Sequence, residues 1–243
     1  MKARIILSIL IIILTTCKKD HLLDCLKSAG KTITEDRETG TFLNINLTDN
    51  VDLKINPGTN HYIKVTAGKN IIDGIITEIS GNTLYIRNEN RCNWMRSFKN
   101  TYTVEVGMDQ PVNIYYDGSG DISCLDTIRS NDFVFDCFGG SGSINFIFNS
   151  DRMQLKNHIG RSDMHASGTV RECNVFINDV GKADVSSLIS QVCHVRNSST
   201  GDCRVKVTSD LSVEILYSGN IYYSGNPVSV LQTVTGSGKL IHL

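Results

Sequence analysis

The chain has 243 residues, with 24 basic against 25 acidic side chains and a formal net charge of −1. So even a balance excludes a nucleic-acid surface, which needs a concentrated basic face. With 40% hydrophobic residues, twenty Gly and only three Pro, the composition suits one elongated domain with a sizeable core, or two small ones, rather than a disordered chain.

In chain order the first element is a secretory signal. Met1 to Arg4 is basic, and Ile5 to Leu14 is apolar except for Ser8. As a helix those ten residues would rise roughly 15 Å, half the hydrocarbon thickness of a bilayer, so the segment targets and does not span. Leu14-Thr15-Thr16-Cys17 resembles a lipobox, which predicts residues 1–16 as a cleaved lipoprotein signal, lipid on Cys17 and a tether over 17–32. Cleavage would remove Lys2 and Arg4, so 22 basic side chains would face 25 acidic ones. The predicted location is the cell envelope, at the outer membrane, with the membrane as partner through the lipid.

From Thr41 to Tyr116 short alternating segments read as strands, among them Phe42 to Leu47, Val51 to Ile55, Tyr62 to Val65, Thr83 to Ile86 and Tyr102 to Val106. Asn56-Pro57-Gly58 and Ser80-Gly81-Asn82 are turns between them, and residues 71–79 are ambiguous between strand and helix. Residues 33–116 are expected to be atypical opening coils and a cap, with a separate small β-domain as the alternative.

Residues 117–243 repeat. A tight turn followed by an alternating strand recurs with its small residue at 120, 142, 162, 183, 201, 219 and 238, in steps of 22, 20, 21, 18, 18 and 19. A period near twenty residues with short strands and no helical pattern predicts an all-β parallel β-helix. Two places after each small residue stands an apolar one, giving an expected interior column of Ile122, Ile144, Met164, Val185, Cys203, Ile221 and Leu240. A second strand per coil is visible in segments such as Phe133 to Phe135, Met153 to Leu155 and Cys173 to Ile177. Each coil then buries its apolar residues only against its neighbours.

Candidate chemistry is sparse. The position after the small residue holds Asp163, Asp184 and Asp202, which this register stacks on three adjacent coils. Carboxylates about 5 Å apart match a retaining glycosidase, and alternate ones about 9 to 10 Å apart approach an inverting one. The plainer reading is turn chemistry, in which Asp bonds its own backbone at an exposed corner. Arg91, Trp94 and Arg96 form the one aromatic and basic cluster, able to stack on a sugar or to cap the open end of the core. Setting Cys17 aside leaves seven cysteines; Cys25 and Cys92 flank irregular sequence and are the expected disulfide, and the others fall on apolar strands as free thiols. The six histidines lack metal-ligand spacing, and neither a phosphate loop nor a Gly-x-Ser-x-Gly elbow occurs, so no metal, cofactor or catalytic set is predicted.

The lipobox, the alternating Phe42 to Ile55 segment, the stretch from Arg87 to Trp94 and the Gly-Ser-Gly repeats together resemble the head GIN domain family of auto-transporter adhesins, over roughly residues 33–243. The resemblance implies a β-helical head domain on a Bacteroidetes-type lipoprotein and carries over no catalytic residues. The expected function is a non-catalytic binding, adhesion-like or structural module for a glycan or envelope protein. The alternative is a carbohydrate-active enzyme using the Asp ladder.

Overall fold

The computed structural model describes residues 28–58, 60–91 and 102–243. Strand after strand alternates buried and exposed, as in Asp132–Cys137 with Phe133, Phe135 and Cys137 inward, because successive side chains leave a pleated strand on opposite faces. Among the described residues seventeen strands result, and they join one hydrogen-bonded network. The early ones are β1 (Thr32–Arg37), β2 (Asn44–Asp49), β3 (Asp52–Pro57), β4 (Tyr62–Gly68), β5 (Ile75–Ser80) and β6 (Thr83–Asn88), followed by β7 (Thr103–Met108), β8 (Asn113–Gly118) and β9 (Ile122–Cys124). The regular ones are β10 (Asp132–Cys137), β11 (Ser143–Asn157), β12 (Asp163–Asp179), β13 (Lys182–Ser199), β14 (Cys203–Ile215), β15 (Ile221–Ser224), β16 (Ser229–Val234) and β17 (Leu240–His242). The ambiguous stretch resolves into a 3-10 turn over Ile72–Gly74 followed by β5.

The fold is a parallel β-solenoid. One stack runs β6, β2, β8, β10 and then the second halves of β11 to β14 to β16. The other runs β7, β3, β9 and then the first halves of β11 to β14 to β15 and β17. Between them lies a dry core with one aliphatic or aromatic residue per coil in each column, such as Ile45, Ile114, Phe135, Leu155, Val175, Val195 and Val213. No coil could bury these residues alone, so the stack is held by burial shared between neighbours.

The interior column of the other stack corrects one expectation. Met164 pairs with Ala183, and Ala183 with Cys203, so Ala183 and not Val185 stands in line with Ile122, Ile144 and Ile221. The small corner residue of that coil is therefore Gly181, which lies against Gly201 as Gly201 lies against Gly219. Corner steps become 22, 20, 19, 20, 18 and 19, more even than before. The physical reason is the pleat: a slip of two residues leaves every side chain on its own face. Ala183 and Val185 are both inward and buried, and alternation alone cannot choose between them.

Spatial order also departs from chain order. The β2–β3 coil lies between the β6–β7 coil and the β8–β9 coil. After β3 the chain runs outward through β4 and β5, lays down the β6–β7 coil, then returns past β2–β3 to build β8–β9. Antiparallel pairing of β5 with β6, of β4 with β7 and of β1 with β4 covers that end of the solenoid. Such cover removes exposed strand edges that would otherwise pair with other chains.

Candidate functional site

At the corner after each glycine the short polar side chains do more than local turn bonding. Asp52 accepts the Asp121 backbone N–H at 2.9 Å, and Asp121 accepts that of Ser143 at 2.8 Å. Asp202 accepts the Asn220 N–H at 2.9 Å and Asn220 that of Lys239 at 3.0 Å. At these four junctions one coil satisfies a backbone donor of the next, which explains an Asx residue there by inter-coil bonding rather than by its own turn.

The stacked carboxylate ladder expected from Asp163, Asp184 and Asp202 does not form. Asp163 is paired in register with Lys182, whose strand neighbour Ala183 pairs with Cys203, so a lysine stands between Asp163 and Asp202. Asp184 sits two residues further along, opposite His165 and Arg204. The three carboxylates still border one recess of about 260 Å³, but with cations interleaved. Lys182 Nζ is 2.8 Å and His165 Nε2 3.1 Å from the Asp163 carboxylate. Burial pushes the Asp184 carboxyl up, yet the hydroxyl and backbone N–H of Ser186, with Arg204 and His165, outweigh it and hold the group below its ordinary value. Alternating charge is the arrangement that relieves like-charge repulsion, and the two-residue register slip is what hid it from the sequence.

Of the other predicted positions, Arg91 is exposed at the end of a described segment. Trp94, Arg96, Cys17, Cys25 and Cys92 lie outside the described residues. Cys137, Cys173, Cys193 and Cys203 are buried free thiols and Cys124 is half-buried and free. Cys173 hydrogen-bonds Cys193, its partner on the next coil, and this bond together with burial holds the Cys173 thiol well above its ordinary pKa. Among the described residues no group of three or more His, Cys, Asp or Glu side chains is arranged to hold a metal ion.

A feature the sequence reading missed is larger. The outward face of the first stack, from β11 to β14, forms a groove of about 570 Å³. Its centre is a row of hydrogen-bonding side chains, Gln154, Asn174, His194 and Ser212, in register on four successive coils. Along one flank runs a chain of rings. Tyr115 stacks on Phe138 at 5.3 Å, Phe138 on His158 at 4.2 Å, His158 meets Phe176 at 5.4 Å, and the Arg196 guanidinium lies 5.8 Å from the Phe176 ring centre. Phe138 remains 41% exposed.

The groove's charges are paired. Arg152 makes a two-point contact with Asp132 at 3.1 and 3.0 Å, Lys156 approaches Asp136 at 3.7 Å, and Arg196 approaches Glu214 at 3.4 Å. His158 Nε2 lies 3.0 Å from Asp136, and Asn174 donates to Glu172 at 2.9 Å. The signal was available in the sequence as polar residues at 154, 174, 194 and 212, spaced by the coil period.

A parallel β-solenoid with one covered end and a ring-and-amide groove across its coils places the protein in the class of β-helical proteins. Residues 41–227 match the family described as "Putative auto-transporter adhesin, head GIN domain", and the chain belongs to that family. Membership places it among adhesin-like proteins of the cell envelope. Solved structures share the fold. A "putative adhesin" from Bacteroides fragilis has a TM-score of 0.79 at 17% identity, covering 88% of this chain and 97% of its own. A "putative adhesin" from Parabacteroides distasonis has a TM-score of 0.66 at 15% identity over 88% and 98%. A "Putative lipid binding protein" from the same species has a TM-score of 0.62 at 18% identity over 88% and 97%. No curated protein matches the chain in sequence. Among the described residues no helix is long and apolar enough to cross a membrane.

Proposed function

We propose that the protein is an outer-membrane lipoprotein, tethered through lipid on Cys17, whose solenoid acts as a non-catalytic adhesion module for an envelope or extracellular ligand. The observation that carries the reading is the groove of stacked rings and neutral amides over β11 to β14, a concave surface with convergent polar groups on a rigid sheet. A lipid anchor needs an acylated cysteine after a short apolar signal, which Ile5 to Cys17 supplies. In bacteria grown with a labelled fatty acid, the wild-type chain takes up label and a Cys17→Ala variant does not. Purified, fluorescently labelled protein is retained on bacterial or host surfaces. Lack of retention on every surface tried would reject the adhesion reading.

The enzyme alternative keeps one observation, the recess shared by Asp163, Asp184 and Asp202. Asp163 is engaged in ion pairs with Lys182 and His165, and Asp184 in hydrogen bonds from Ser186, which gives these carboxylates a structural use that needs no catalysis. Binding is therefore the better-supported use of this surface. Reducing ends released from polysaccharide by wild-type protein and not by an Asp184→Asn variant would reverse that choice.

A further inference from the structure

We infer that the groove over β11 to β14 takes a neutral, linear glycan whose chain lies along the solenoid axis. The inference rests on the adhesion reading above and specifies its ligand.

Three observations converge. First, the hydrogen-bonding row is continuous and holds no carboxylate, ammonium or guanidinium group. Gln154, Asn174, His194 and Ser212 occupy equivalent positions on four coils, a run of about 14 Å at the 4.8 Å spacing of neighbouring strands. Amide, imidazole and hydroxyl groups both donate and accept, as sugar hydroxyls do. Among the described residues the side chains of Gln154, His194 and Ser212 make no hydrogen bond within the chain, so their capacity faces the groove. Second, Phe176 and His158 line the groove beside that row, with Phe138 stacked on His158, and these rings offer flat apolar surface. A pyranose has the same two-sided character, with hydroxyls at its edge and C–H groups on its face, and aromatic rings supply large contact area at small entropic cost.

Third, the charges select against alternatives. Each cation that lines the groove already faces a carboxylate: Arg152 with Asp132, Lys156 with Asp136, Arg196 with Glu214. An anionic polymer would have to break these pairs and would meet Glu172 as well. A peptide adding as an extended strand needs an open sheet edge, and here it would find the face of strands already bonded on both sides.

The test uses the purified mature chain in affinity electrophoresis and calorimetry against neutral linear polymers (β-mannan, laminarin, cellohexaose) and anionic ones (alginate, polygalacturonate). Retention by at least one neutral polymer is expected, little changed by salt, with Kd raised about tenfold by Phe176→Ala and by Asn174→Ala. An exposed change at the covered end of the solenoid, Glu78→Ala on β5, is expected to leave Kd unchanged. Circular dichroism melts show whether each variant stays folded, and Gln154→Ala replaces any that does not. Retention by anionic polymers alone, or neutral binding untouched by all groove variants, would overturn the inference. So would capture of peptides and no glycan. Silence toward all polymers with retention on cell surfaces would sink the glycan assignment and leave the adhesion module standing. Silence in both assays would remove both.

Discussion

Replacing Gly142 by alanine tests the stacking on which the whole architecture depends. A β-carbon built there comes within 3.0 Å of the Gly120 carbonyl oxygen, where ordinary contact begins at 3.4 Å, and the obstacle is backbone that cannot swing aside. It also meets the Tyr116 hydroxyl, which donates to Gly120 O at 2.7 Å and accepts from Gly142 N at 3.2 Å. Overpacking of a close-fitted site costs about 1 to 3 kcal/mol, and disturbing two buried hydrogen bonds adds about 1 kcal/mol each. The expected loss is therefore about 3 to 5 kcal/mol, a fall in Tm on the order of 10 °C for a domain of this size. Guanidinium and thermal unfolding of the variant measure it, with Gly40→Ala as control, because the nearest atom to a β-carbon there is Ile79 Cδ1 at an unstrained 3.8 Å. A Gly142→Ala protein within about 1 kcal/mol of wild type would show that the glycine column does not set the coil spacing.

Other outcomes follow from the corner and the core. Asp202→Ala should cost about 1 to 2 kcal/mol by stranding the Asn220 N–H, while Asp202→Asn, which keeps the acceptor, should be near neutral; equal losses would refute the inter-coil role. Burial, and beyond it repulsion from Asp121, raises the Asp52 carboxyl, so its ionised form is disfavoured in the folded protein. Its cost is absent at low pH, appears as pH rises past the ordinary value of 3.8 and is complete above the raised value. Asp52→Asn should accordingly raise Tm at pH 7 and lose that advantage near pH 3, whereas a benefit that grows toward acid pH would reverse the sign. Cys173 and Cys203 are buried and their thiols are pushed well above the ordinary value, by the bond to Cys193 for the first and by burial for the second. Peptide mapping after thiol labelling at neutral pH should find both unmodified until denaturant is added.

Much of the fold was legible in the residues. Gly-Ser-Gly corners, a period near twenty and alternating Ile, Phe and Val specify a stack of coils, because inward apolar columns at a constant step have no other way to leave water. The thiols on apolar strands were likewise readable as core. What eluded the sequence was whatever depends on which coil lies beside which. Gly181 and Ala183 both satisfy the alternation, and only the partnership of Ala183 with Met164 and Cys203 decides between them. That two-residue difference turns a supposed row of acids into Asp163, Lys182 and Asp202, and so changes the chemistry of the surface.

Local sequence therefore determined the pleat, the corners and which side chains face the core, since these follow from one strand and its own period. Tertiary structure alone decided the placement of β2–β3 between later coils and the diagonal meeting of Phe138, His158 and Phe176. The groove also belongs to the tertiary structure. Its members are about twenty residues apart in the chain, and only the inter-coil hydrogen bonds that fix the register bring them into one row.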